Sequence, residues 1–202
     1  MRAWKLICGA IALTAFLAPG AHADEWNKRT YLTFSGPVAI PDPAGVTVVH
    51  VESARDMLEA VERALPADIA IFAAAVADWR VANAGEQKLK KDPGKATPTF
   101  AFAENPDILA TVAHRTTDRP RLVIGFAAET ENVVQHAQEK LKRKGCDWIL
   151  ANDVSPQTGI MGGDSNTIEL VRASGVERWP PQSKEAVARM LIERVAKELN
   201  NA

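Results

Sequence analysis

Apolar positions in this chain fall into two kinds of run. Short, nearly continuous runs rich in Val, Ile and Ala alternate with longer stretches in which apolar residues return every three or four positions. The first kind reads as strands and the second as amphipathic helices. The spacing predicts strands over Val46–Val51, Ala67–Ala77, Thr99–Ala103, Arg121–Phe126 and Asp147–Ala151. It predicts a helix after Ser53, striped by Leu58, Val61, Ala64 and Leu65, with Asp56 three residues on to complete a capping box. A second helix runs to about His114, with Asn105 as its cap and Pro106 at its first position. A third spans Asn132 to Lys144, capped by Thr130 and ended by Gly145. Thr167–Arg172 and Val176–Trp179 form a hairpin around Ala173-Ser174-Gly175. Ser183 caps a last helix to about Leu199, striped by Val187, Met190, Leu191 and Val195. Alternating strands and helices predict an α/β protein with three layers, a mostly parallel sheet and a C-terminal β-hairpin.

The run Ala67–Ala77 is the one around which the chemistry gathers. It carries one charge near its start and reads as a strand buried on both faces of a parallel sheet. Asp78 follows at its carboxyl end, where ligands sit in open α/β sheets. The polar segment 81–98 then supplies Lys88, Lys90 and Lys91. A carboxylate and a lysine cluster beside a strand end suit a phosphate ligand with a bound metal ion. By spacing alone a solvated lysine face and a turn aspartate explain the pattern too.

Composition removes several classes. The 202 residues suffice for one domain with a core, and the formal net charge of -1 gives no support for nucleic-acid binding. Two cysteines, Cys8 and Cys146, make neither a disulfide framework nor a multi-cysteine zinc site. Cys146 reads as a small buried hydrophobe, and His50 as a surface residue near a strand end. No Gly-x-Ser-x-Gly, His-Glu-x-x-His or cysteine–histidine pairing is present, so hydrolase and metalloprotease readings lack their groups. Glycine-rich 159–166 lacks the Gly-Lys-Ser/Thr of a phosphate loop, and no Gly-x-Gly-x-x-Gly opens a helix, which disfavours a nicotinamide-dependent oxidoreductase. Residues 1–23 read as a secretory leader: Arg2 and Lys5, an apolar Leu6–Leu17, then Ala21-His22-Ala23. The apolar part is short for a membrane span, so no membrane association is expected of the mature chain. Residues 24–35 are a polar lead-in with a weak alternation over Tyr31–Phe34 that can form an edge strand.

Four segments carry a resemblance. Ala73-Ala74-Ala75-Val76-Ala77-Asp78-Trp79-Arg80 followed by Gln87-Lys88-Leu89-Lys90-Lys91 is the first. Glu104-Asn105-Pro106-Asp107-Ile108-Leu109, Gly125-Phe126-Ala127-Ala128-Glu129-Thr130 and Ala151-Asn152-Asp153-Val154 follow in order. Together they resemble the phosphopantothenate–cysteine ligase domain of bacterial coenzyme A biosynthesis, the C-terminal half of a bifunctional flavoprotein. The likeness covers about residues 36–202 and implies a Rossmann-like sheet. It implies that CTP activates 4′-phosphopantothenate as an acyl-cytidylate, with Mg2+ offsetting phosphate charge, and that cysteine then attacks. Phe72, Ala73, Ala74, Asp78, Lys88, Pro106, Asp107, Ile108, Leu109, Phe126, Lys140 and Lys144 are implied to hold the nucleotide. Lys88, Lys140 and Lys144 would face phosphates, Asp78 the nucleotide directly or through Mg2+, and Phe126 the base. No flavin is expected, and a homodimer is implied. The family also has a first strand, a glycine-rich turn and an Asn-Arg-Ser-Ser-Gly-type catalytic segment, which residues 1–34 do not match. The first βα unit is therefore expected to be missing, and a catalytically inactive remnant that at most binds nucleotide stands as the alternative. The leader points to export, while the family's function implies the cytoplasm.

Overall fold

The computed structural model describes residues 31–38, 41–82, 99–155 and 165–200. Lys88, Lys90 and Lys91, the leader-like 1–23 and most of the glycine-rich 159–166 lie outside the described residues. In chain order the elements are β1 (Leu32–Ser35), β2 (Thr47–His50), α1 (Ala54–Arg63), β3 (Ile69–Phe72), β4 (Trp79–Val81), β5 (Phe102–Glu104), α2 (Ile108–Ala113), β6 (Leu122–Glu129), α3 (Val133–Lys144), β7 (Trp148–Asp153), β8 (Ser165–Asn166), β9 (Glu169–Arg172), β10 (Gly175–Arg178), β11 (Gln182–Ser183) and α4 (Lys184–Asn200).

The main sheet has the order β10-β9-β7-β6-β3. β3, β6 and β7 run parallel, with Ile69 opposite Leu122 and Ile124 opposite Trp148. The β9–β10 hairpin joins β7 antiparallel. This is the expected mostly parallel α/β sheet with its terminal hairpin. The strand period of two sorts side chains between two layers of core. Ala70, Val123, Ile149 and Val171 face one cluster, with Met57 and Val61 of α1, Val112 of α2 and Ala137 of α3. Ile69, Ile71, Ile124, Leu150 and Leu170 face the other, with Val187, Leu191 and Val195 of α4. β1 and β2 form a separate parallel pair, and Phe34 of β1 is buried in the first cluster.

Local signals set several ends. Ser53 and Asp56 close the expected capping box on α1, whose buried face is Met57, Ala60 and Val61. Gly145, left-handed at φ 67°, ends α3. Ser183 accepts the Ala186 N–H at the start of α4. Three expectations need correction. The strand expected over Ala67–Ala77 stops at Phe72: its pairing with β6 ends at Gly125 although β6 itself runs on to Glu129, and the alanines that follow have little preference for a sheet. The cap of α2 is Asp107, not Asn105, for Asp107 accepts the Ala110 N–H and Asn105 is engaged elsewhere. Thr130 does not cap α3: Asn132 occupies that position in a left-handed conformation, without a side-chain cap bond.

Candidate functional site

The apolar run that leaves the sheet after Phe72 does so to make one wall of a cleft. Phe72, Ala74, Val76, Ala77 and Asp78 line it from the end of β3. Asn105 to Leu109, the turn into α2, form the opposite wall, and Met57 of α1 contributes from the side. Phe126 of β6 and Lys140 and Lys144 of α3 complete it, around a volume of about 180 Å³. Phe72 pairs with Gly125, so Phe126 lies one residue beyond the carboxyl end of β3. The cleft therefore sits where α/β sheets place ligands.

Gly125 lets the Leu109 and Ile149 side chains pack tightly on β6 beneath the cleft. A Cβ there would lie 2.6 Å from Leu109 Cδ2 and 2.9 Å from Ile149 Cδ1. A side chain there would force the ends of Leu109 and Ile149 to shift.

Lys140 and Lys144 are one helical turn apart, so both project from the same face of α3. Their surroundings differ. Lys144 Nζ is paired with the Asp107 carboxylate. Lys140 Nζ donates to the Phe126 carbonyl at 2.9 Å, and among the described residues it ion-pairs with no carboxylate. Burial lowers the Lys140 pKa from its ordinary value; Glu129 pulls it back up, while Lys144 and Arg143 push it further down. Burial opposes the charged form of Asp107, but the Lys144 hydrogen bond, the Ala110 N–H and the charges of Lys144 and Arg143 outweigh it, and the net pKa is lowered. Among the described residues the cleft thus sets a partly desolvated ammonium with no carboxylate in ion-pair contact beside one that is already paired. That arrangement favours an anionic ligand.

Of the residues singled out from sequence, Phe72, Ala74, Asp78, Pro106, Asp107, Ile108, Leu109, Phe126, Lys140 and Lys144 come together here. Ala73 does not line the cleft, whereas its neighbours Phe72 and Ala74 do, as expected of alternate positions along an extended run. Lys88 lies outside the described residues. Among the described residues no group of three or more His, Cys, Asp or Glu could hold a metal ion. Asp78 is a single exposed carboxylate, which fits Mg2+ only in the manner that ion often adopts, one carboxylate plus the substrate's phosphates. Cys146, expected to be a buried hydrophobe, is buried, and burial raises its thiol pKa to about 11, so it is no nucleophile. Asn105, Met57, Val76 and Ala77 line the cleft without having been expected there.

Comparison with known proteins gives one consistent result. Residues 23–199 match the model of the DNA/pantothenate metabolism flavoprotein C-terminal domain. Over 162 residues the chain is 40% identical to the coenzyme A biosynthesis bifunctional protein CoaBC of Vibrio vulnificus (strain YJ016), covering 80% of this chain and 40% of that protein. The chain thus spans about 40% of the length of the curated relatives it matches. The crystal structure of the C-terminal domain of a coenzyme A biosynthesis bifunctional protein CoaBC superimposes with a TM-score of 0.67 at 34% identity, over 85% of this chain and 75% of that one. A DNA/pantothenate metabolism flavoprotein from Streptococcus pneumoniae shares the fold, with a TM-score of 0.65 at 20% identity over 83% of this chain and 80% of that one.

Proposed function

This chain belongs to the DNA/pantothenate metabolism flavoprotein C-terminal domain family, and from that premise we propose that it ligates 4′-phosphopantothenate to cysteine in coenzyme A biosynthesis, using CTP. The observation that carries the reading is the pair Lys140 and Lys144 in the cleft. Lys140 holds its ammonium ready on a neutral carbonyl, and Lys144 needs only to exchange Asp107 for a phosphate oxygen. Positive charge fixed in a desolvated cleft stabilises negative charge as it builds on a departing pyrophosphate. Phe126 and the Pro106–Leu109 turn then hold the cytidine side, and Asp78 faces the nucleotide or its Mg2+. Bound Mg2+ would offset the phosphate charge and polarise the leaving group. The family resemblance adds Lys88, which lies outside the described residues, as a further phosphate-facing lysine. The reading places the activity in the cytoplasm, where these metabolites are made.

A second copy of the chain fits the same reading. Trp79, Val81 and Phe102 share one face of the β4–β5 ribbon, with Trp79 56% and Phe102 65% exposed. Exposed aromatics on one face mark a contact surface. A dimer in sedimentation experiments that dissociates on Phe102→Lys is the expected result.

Pyrophosphate release from the purified protein tests the activity. Release that requires CTP, Mg2+ and 4′-phosphopantothenate together, and falls in Lys88→Ala, is the expected outcome. A folded protein that binds CTP and releases nothing would replace ligation with nucleotide binding alone.

A further inference from the structure

The two walls of the cleft are far apart in sequence, and one side chain joins them. The β4–β5 ribbon pairs Trp79 with Glu104. One residue further, the Asn105 N–H donates to the Asp78 carbonyl at 2.8 Å. Pro106 has no N–H with which to continue the ladder. The Asn105 side chain makes the next tie instead: its amide Nδ2 donates to the Ala77 carbonyl at 2.8 Å. Asn105 therefore grips two consecutive carbonyls of the opposite wall. Because its side chain is committed there, the cap of α2 falls to Asp107, whose carboxylate takes both the Ala110 N–H and Lys144. One residue thus sets where Asp78 stands and where the Asp107–Lys144 pair begins.

We propose that Asn105 is a positioning residue for the reaction, clamping the Ala77–Asp78 turn to the turn that carries Asp107 so that the two walls keep a fixed spacing around the nucleotide. This rests on the ligase reading above. Asn105 acts through Ala77, Asp78 and Asp107, not on a reacting atom. The side-chain type follows from the bond it makes. A carboxylate would set oxygen against oxygen at Ala77, and alanine cannot reach. Lys140 and Lys144 are carried by α3, whereas the Asn105 bonds go to Ala77 and Asp78, so nucleotide affinity is expected to depend on the clamp less than alignment does. Alignment in the transition state does depend on it, and small misplacements there cost rate more than affinity.

The test measures steady-state kinetics and backbone amide exchange in wild type, Asn105→Ala and Asn105→Leu. The leucine variant keeps the shape of the side chain without its donor, so a loss common to both reports the bond. Arg80→Ala is the structural control, since Arg80 ties the same ribbon to the Glu104 carbonyl outside the cleft. In both Asn105 variants kcat is expected to fall about tenfold or more with KM for CTP within about threefold, and the Asn105 or Ala110 amides are expected to exchange faster. Arg80→Ala is expected to keep kcat within about twofold. An Asn105 variant with kcat within twofold of wild type overturns the proposal, as does an equal loss in Arg80→Ala. A wild-type protein without turnover overturns the ligase reading instead. Amide exchange then decides the clamp alone: faster exchange in Asn105→Ala upholds it, and unchanged exchange overturns it.

Discussion

Two clusters of charge lie on opposite sides of the sheet, and they are finished to different degrees. Behind the sheet, Glu177 of β10 accepts from Arg194 of α4 at 2.7 and 3.0 Å, from Trp179 Nε1 at 3.1 Å and from Arg172 at 3.4 Å. Its carboxylate is saturated, and the Arg194 bonds lower its pKa against the cost of burial. Arg172 also lies over the Trp148 ring at 5.9 Å. This cluster fastens the hairpin to the last helix. In the cleft, by contrast, Lys140 donates among the described residues to a peptide carbonyl and to no carboxylate, and Asp107 divides itself between a helix cap and Lys144. Hydrogen bonds that saturate a charge build structure. A half-buried charge held on a neutral carbonyl is poised for an anionic ligand.

The contrast breaks most sharply at Lys140. Lys140→Met keeps the apolar stem and removes the ammonium. CTP affinity is expected to fall about 10- to 100-fold, the worth of a charge-assisted bond, while Tm is expected to be no lower than wild type. The sign follows from the lowered pKa. A lysine whose folded pKa lies below its ordinary 10.5 opposes folding in full below the lowered value, and that opposition fades as pH rises from there and is gone above 10.5. Parallel titration calorimetry and thermal melts check both halves.

The opposite outcome is expected behind the sheet. Glu177→Ala strands Arg194, Arg172 and Trp179 and is expected to cost about 1–2 kcal/mol, roughly 3–6 °C in Tm for a chain of this size. CTP affinity is expected to stay within about twofold. A melt and a titration of this variant, set against those of Lys140→Met, show whether binding and stability separate as the two clusters do.

Asp107 belongs partly to each kind and gives the smallest effect. Its pKa is depressed in the folded state, so the stability it contributes is complete above its ordinary 3.8 and is lost as pH falls through the lowered folded value. The carboxylate is 43% exposed, so screening holds the contribution to a few tenths of a kcal/mol. Urea midpoints at neutral and acid pH are expected to converge slightly in Asp107→Asn relative to wild type. An unchanged or widened gap would count against the Asp107–Lys144 pair.

What the sequence made legible follows the range of each interaction. The capping box of Ser53 and Asp56, the stop at Gly145 and the stripe of α4 depend on neighbours within a few residues, and they were readable. The carboxyl end of the Ala-rich run could be named as the site because buried apolar runs mark parallel strands. Asn105 was misread as a helix cap because Asn suits that position locally. Its actual partner, Ala77, is 28 residues away, and no periodicity reports such a bond. The end of β3 is hidden too: β6 runs on past Gly125 to Glu129, so the chain leaves the sheet with partner residues to spare, and an unbroken apolar run of alanines does not mark the point of departure. That Lys140 and Lys144 share a face was visible from their spacing. That Asp107 neutralises only one of them was not, since the pairing joins two elements 37 residues apart.

The most direct test of the account is a crystal structure of the protein with CTP and Mg2+. The account predicts nucleotide in the cleft, with phosphate oxygens within hydrogen-bonding distance of Lys140 Nζ and Lys144 Nζ and the base side against Phe126. Nucleotide bound elsewhere, with Lys140 still on the Phe126 carbonyl and Lys144 still on Asp107, would contradict it.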